Sequence, residues 1–174
     1  RIGHAEVDVV GCSFGGWIAA ELASLVPHRI RAMVLVAPCG VRTDDVHLPN
    51  MFTEAPEIVE AMLYRHPERH RRDPSAMTED QVRIMQRNRE SFARFGRDPY
   101  LYNPKLPYRL HRAICPTMFV RGAHDALIPA DYTQRYAELF PDARITTIPD
   151  AAHLPQIEQD RKSTRLNSSH EDLS

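Results

Sequence analysis

Three residues of this sequence could do covalent chemistry together. Each stands directly after an apolar stretch. Ser13 lies in VDVVGCSFGGWIAAELA, Asp125 in TMFVRGAHDALIP and His153 in RITTIPDAAHLPQIEQ. A serine hydroxyl is a poor nucleophile until a base accepts its proton and a carboxylate orients that base. The chain order serine, acid, histidine is the one expected when each residue occupies a loop after a successive parallel strand. The first stretch is the most specific. Gly11-Cys12-Ser13-Phe14-Gly15 is a G-x-S-x-G pattern set between an apolar strand and a helix. A strand that turns at once into a helix strains its corner residue, and glycines at positions 11 and 15 are expected to relieve the crowding. The corner would hold the Ser13 hydroxyl above the sheet edge, with the Phe14 N–H aimed where an oxyanion would form. A bare G-x-S-x-G is a weak signal, and the flanking strand and helix strengthen it.

Other readings compete at each position. Ser13 could simply cap its helix, as serines at helix starts commonly do. Asp150, three residues before His153, is a rival acid, but the loop position after the preceding strand favours Asp125. His124 comes too early in the chain to serve as the base and reads as a solvated loop residue. His66 and His70, in HPERH, have the i, i+4 spacing of a metal pair. Pro67 stands where a zinc-protease motif needs glutamate, however, and no third ligand is evident, so no metal is expected. Arg69, Arg71 and Arg72 read as a solvated surface. Cys12 does not hold the corner and reads as a spectator thiol. Phe14, Trp17, Met51, Phe52, Met62 and Tyr64 could line an apolar pocket, though such residues at helical spacing are more often packing.

The elements that must position these residues are legible as alternating strands and helices. Residues 7–11 form a nearly continuous apolar run, as expected of a parallel strand covered on both faces. A helix over residues 13–26 follows, with Trp17, Ile18, Leu22 and Leu25 at helical spacing, and Pro27 closes it. Residues 31–37 (RAMVLVA) form a second strand, giving a parallel βαβ unit. From residue 41 to 113 the chain is polar and arginine-rich and reads as a mostly helical insertion. Thr53 is expected to cap one of its helices, and Thr78 with Gln81 forms a capping box for a second over residues 79–95. Strands resume at residues 117–120 and 144–148, with a helix over 130–140 between them.

The bulk numbers set limits. The chain has 174 residues, which suits one domain, with 43% apolar content and a net charge of −1. Such a balance argues against a nucleic-acid surface. No apolar run is long enough to span a membrane. Cys12, Cys39 and Cys115 each border an apolar run, which favours buried free thiols and a reducing, cytoplasmic setting. Residues 160–174 break every pattern. The stretch DRKSTRLNSSH within them is similar to the in-frame translation of a sequencing-library adapter, so they are excluded as a non-native tail.

The stretches VGCSFGGWIAAELA, PTMFVRGAHDALIP and IPDAAHLPQIEQ together resemble the α/β-hydrolase fold superfamily, in particular its small esterases, C–C bond hydrolases and cofactor-free haloperoxidase-like members. The resemblance covers roughly residues 5–41 and 104–159. It implies an α/β fold, here a partial α/β-hydrolase domain over residues 1–159 with parallel strands flanked by helices and the insertion as a helical lid. It further implies Ser13 as nucleophile, Asp125 as acid, His153 as general base and Phe14 N–H as an oxyanion donor. A small-molecule ester or related carbonyl substrate is implied, with no cofactor. C–C bond hydrolysis of a ring-cleavage product is the close alternative, and a non-catalytic ligand-binding protein on the same scaffold a more distant one. That family carries several strands and a second oxyanion donor before the corner serine, and a final helix after the Glu-Gln. On this reading the chain is the C-terminal part of an enzyme, and the fragment alone is expected to be inactive.

Overall fold

The computed structural model describes residues 5–70 and 76–159. Arg71, Arg72 and the adapter-like residues 160–174 lie outside them. Four strands, β1 (Val7–Cys12), β2 (Ile30–Val36), β3 (Thr117–Gly122) and β4 (Ala143–Ile148), form one sheet in the order β1-β2-β3-β4. Every pairing is parallel. Because all four strands run parallel, they end on the same edge, and the loops after β1, β3 and β4 gather there. Helix α1 (Phe14–Leu25) packs on β1 and β2, and α4 (Ala130–Ala137) on β3 and β4. A short α5 (Pro155–Glu158) follows β4.

The sides that α1 buries differ from the expected ones. Gly16, Ala19, Ala20, Ala23 and Ser24 face inward, while Ile18, Leu22 and Leu25 stay 56%, 41% and 55% exposed. The cause is close approach: a Cβ on Gly16 would stand 2.7 Å from the Pro38 side chain. Only small residues fit between helix and sheet, so the large apolar ones are displaced outward. Strand β1 departs likewise. It alternates instead of being covered on both faces, with Val10 73% exposed, because α1 is the helix packed against β1 and it covers one face. Asp8, exposed on the same side, is ion-paired with Arg31 of β2, whose Nε donates at 2.9 Å.

Between β2 and β3 the described chain is helical, with α2 (Pro56–Leu63) and α3 (Glu79–Gly96). Thr78 and Gln81 form the reciprocal capping box at the start of α3. Thr53 does not cap α2; that position is taken by Ala55, with Pro56 opening the helix. The Thr53 hydroxyl instead donates to Asn50 O in a preceding turn. The two ends of this excursion are stitched to each other. Gly40 N donates to Leu101 O at 2.9 Å and Asn103 N to Gly40 O at 3.0 Å, around a parallel bridge between Gly40 and Tyr102. Leu101, Leu106, Leu110 and Ala113 are then buried in the same core as Leu35, Phe119, Tyr132 and Tyr136, so the chain has rejoined the core well before residue 113.

Candidate active site

Ser13 occupies the corner between β1 and α1 with φ 51° and ψ −117°, a region that L-residues rarely adopt and that costs about 1–3 kcal/mol. The sheet holds it there, since Ser13 N donates to Val36 O of β2 at 2.8 Å. The room comes from Gly11, where a Cβ would meet Gly15 O at 2.4 Å. Gly15 itself has open space where a Cβ would go, so the steric need expected at that glycine falls on Gly11 and Gly16. The Ser13 side chain makes no capping hydrogen bond to α1. It faces His153 instead, with Oγ 2.9 Å from Nε2.

His153 and Asp125 are both buried. His153 Nδ1 lies 3.0 Å from Asp125 Oδ2. The other carboxylate oxygen accepts from Leu127 N at 3.0 Å and Ile128 N at 2.8 Å, a turn that fixes the group after β3. A carboxylate offers only acceptors, so Nδ1 carries the ring hydrogen and Nε2 keeps a lone pair for the Ser13 hydroxyl. The loops after β3 and β4 are laced together. Ala123 N donates to Ile148 O and His124 N to Ala151 O, each at 2.9 Å. A Cβ on Gly122 would stand 2.0 Å from Ala152 O, so glycine lets the backbone beside His153 pass over the end of β3. Phe14 opens α1 directly after Ser13, and helix geometry leaves its N–H without an intrahelical acceptor.

The remaining candidates are dispersed. Asp150 is turned outward, its carboxylate 3.6 Å from His66 Nε2, and His124 is exposed. His70 stacks on Tyr64 with ring centroids 4.7 Å apart. Among the described residues no three metal-ligating side chains converge. Cys12 Sγ accepts from Gln156 Nε2 at 3.2 Å, and burial pushes its thiol up. Burial pushes the Cys39 thiol up to about 12. Neither thiol is poised to ionise near neutrality.

Aromatic rings link the corner to the helical insertion. Phe14 meets Trp17 and Phe92 edge-on at 5.3 and 5.4 Å, and Phe92 meets Phe52 at 5.1 Å. Phe92, on α3, was not singled out in the sequence; its one signal is the helical spacing of Phe92 with Phe95. Glu21, also missed, accepts from Trp17 Nε1 at 3.2 Å and Asn103 Nδ2 at 2.6 Å, tying α1 to the segment that re-enters the core. A concavity of about 250 Å³ opens between residues 41–48 and Tyr100, Tyr102 and Tyr132, and none of Ser13, Asp125 and His153 lines it.

A family model described as "Alpha/beta hydrolase family" matches residues 1–163. The chain belongs to the α/β-hydrolase family. Among the relatives of this α/β hydrolase is a pimeloyl-[acyl-carrier protein] methyl ester esterase of Nitrosomonas europaea, 27% identical over 85% of this chain. A 2-hydroxymuconate semialdehyde hydrolase of Pseudomonas putida is 27% identical over 95% of it. The chain spans 64% and 62% of those two relatives' lengths. The same fold is found in a serine hydrolase of Cycloclasticus zankles (TM-score 0.69, 17% identity, 98% of this chain and 65% of that one). It is found also in a meta-cleavage product hydrolase of Pseudomonas fluorescens IP01 (TM-score 0.66, 22% identity, 93% and 63%). Among the described residues no helix is long and apolar enough to cross a membrane.

Proposed function

We propose that the full-length protein is a serine hydrolase acting on a small, rather apolar ester or related carbonyl compound, with Ser13, His153 and Asp125 as its catalytic triad. The observation that carries this reading is the pair of contacts on one imidazole, 2.9 Å to Ser13 Oγ and 3.0 Å to Asp125 Oδ2. Ser13 Oγ attacks the carbonyl carbon while His153 Nε2 takes its proton, and Asp125 steadies the imidazolium through Nδ1–H. The Phe14 N–H is one donor to the oxyanion. His153 then gives its proton to the departing alkoxide, leaving an acyl ester on Ser13. Water, deprotonated by His153, attacks that ester, and the proton returns to Ser13 as the acid departs. The helical insertion, joined to the corner through Phe14 and Phe92, acts as a lid that selects substrate. A cytoplasmic location is part of the proposal, on the free state of Cys12, Cys39 and Cys115.

The names of the relatives favour two bond types, an ester and a C–C bond beside a carbonyl. Both chemistries use the same three side chains, and the ester is preferred as the simpler acyl transfer. A non-catalytic ligand-binding role would leave no use for a strained serine hydrogen-bonded to an oriented imidazole. In the full-length protein, Ser13→Ala and His153→Ala are each expected to lower turnover of a short-chain aryl ester by several orders of magnitude. A fluorophosphonate probe should label Ser13. Near-normal turnover in both variants would exclude the mechanism. Faster turnover of a ring-fission dienoate than of any ester would shift the reading to C–C hydrolysis.

A further inference from the structure

The loop that carries His153 is held from the insertion side by one carboxylate. Glu158, the last residue of α5, accepts from Ala152 N at Oε2, 2.7 Å away. Its Oε1 accepts from Arg65 N at 2.7 Å and from His66 N at 3.3 Å. One planar group thus joins the residue immediately before His153 to the chain that leaves α2. A parallel strut runs beside it: the His66 ring faces Asp150 at 3.6 Å, and Gln159 Nε2 donates to Asp150 O at 2.6 Å.

We infer that Glu158 is a positioning residue for His153, making alignment of the imidazole conditional on the insertion being docked. This rests on the reading of His153 as the general base. The ring must keep both its contacts at once, and a displacement of about 1 Å in such a site costs on the order of 10²-fold in rate. Ala152 is buried, so its N–H depends on a protein acceptor. Glu158 supplies it, while the opposite oxygen is occupied by the insertion. When the insertion lifts, Oε1 loses both donors, the carboxylate is free to turn, and the backbone at Ala152 loses its anchor. Docking of the insertion over substrate and alignment of the base become one event.

The test uses the full-length protein, with active serines titrated by a fluorophosphonate so that misfolded molecules do not count. In Glu158→Gln one oxygen remains and an NH2 faces an N–H donor, so one end of the bridge is lost. Turnover per titrated serine is expected to fall roughly 10- to 100-fold, the rate equivalent of one charge-assisted hydrogen bond. KM should change less than kcat. Should E158Q not fold, Glu158→Asp, which keeps the charge but is one methylene short, takes its place with the same expectation. Unchanged kcat per titrated serine, alongside an inert His153→Ala, overturns the role of Glu158 alone. Full turnover in His153→Ala overturns the reading of the base and this inference with it.

Discussion

At the scale of single residues, the two aspartates near His153 separate by what their carboxylates touch. Asp125 is enclosed, with one oxygen on the imidazole and the other on two backbone N–H groups. Asp150 is largely exposed opposite His66. Asp125→Asn keeps the shape but supplies an NH2 that can turn toward Nδ1, inverting the ring tautomer. Turnover in the full-length protein is expected to drop by ~10⁴. Asp150→Asn, measured in the same ester assay, should stay within a fewfold of wild type. A reversal of that order would make Asp150 the acid. Sequence order favours Asp125 because a loop after a strand has a defined place on the sheet edge. Glu158 could not be found that way, because its donors are backbone N–H groups, Ala152 nearby and two about ninety residues upstream, and a backbone donor leaves no mark in the sequence.

At the scale of elements, helix α1 shows why apolar periodicity locates a helix without saying which side it buries. Ile18, Leu22 and Leu25 carry the pattern, yet the helix sits on its glycine and alanines. Helix–sheet distance, a tertiary quantity, decides this. The strands were legible from short apolar runs, and α3 from its capping box. Thr53 misled because Pro56 opens α2 two residues beyond where Thr53 could cap. The two adjacent glycines yield a paired expectation. Gly16→Ala drives a methyl into Pro38, an overpacking worth about 1–3 kcal/mol. The thermal midpoint of the full-length protein should fall by several degrees. Gly15→Ala meets nothing and removes a helix glycine, so it should leave the midpoint unchanged or raise it by the equivalent of about 0.5–1 kcal/mol. Differential scanning fluorimetry of both variants distinguishes them. Equal losses would mean that α1 lies further from Pro38 than described.

At the scale of the whole molecule, large apolar side chains stay exposed on β1, α1 and α3. Strand β1 pairs on one side with β2 and, among the described residues, with no strand on the other. Val10 stands exposed on its face, and Ile18, Leu22 and Leu25 form an outward stripe on the adjoining helix. An unpaired apolar strand edge is a template for association. This chain, expressed alone, is expected to elute as large species on size exclusion and to enhance the fluorescence of an apolar dye. A monomer with a sharp thermal transition and no dye binding would show that this surface is covered. The stitching of Gly40 to Leu101 and Asn103 has a consequence of another kind, for how such a protein can change over generations. With both ends clamped together, the intervening loop can lengthen or shorten at small entropic cost, since closure entropy grows only logarithmically with length. Insertions and deletions away from the Arg65–His66 contact with Glu158 can therefore be sampled by mutation while the strands and the serine corner are inherited unchanged, so on the proposed lid reading the specificity of a lineage can drift on a chemistry that stays fixed.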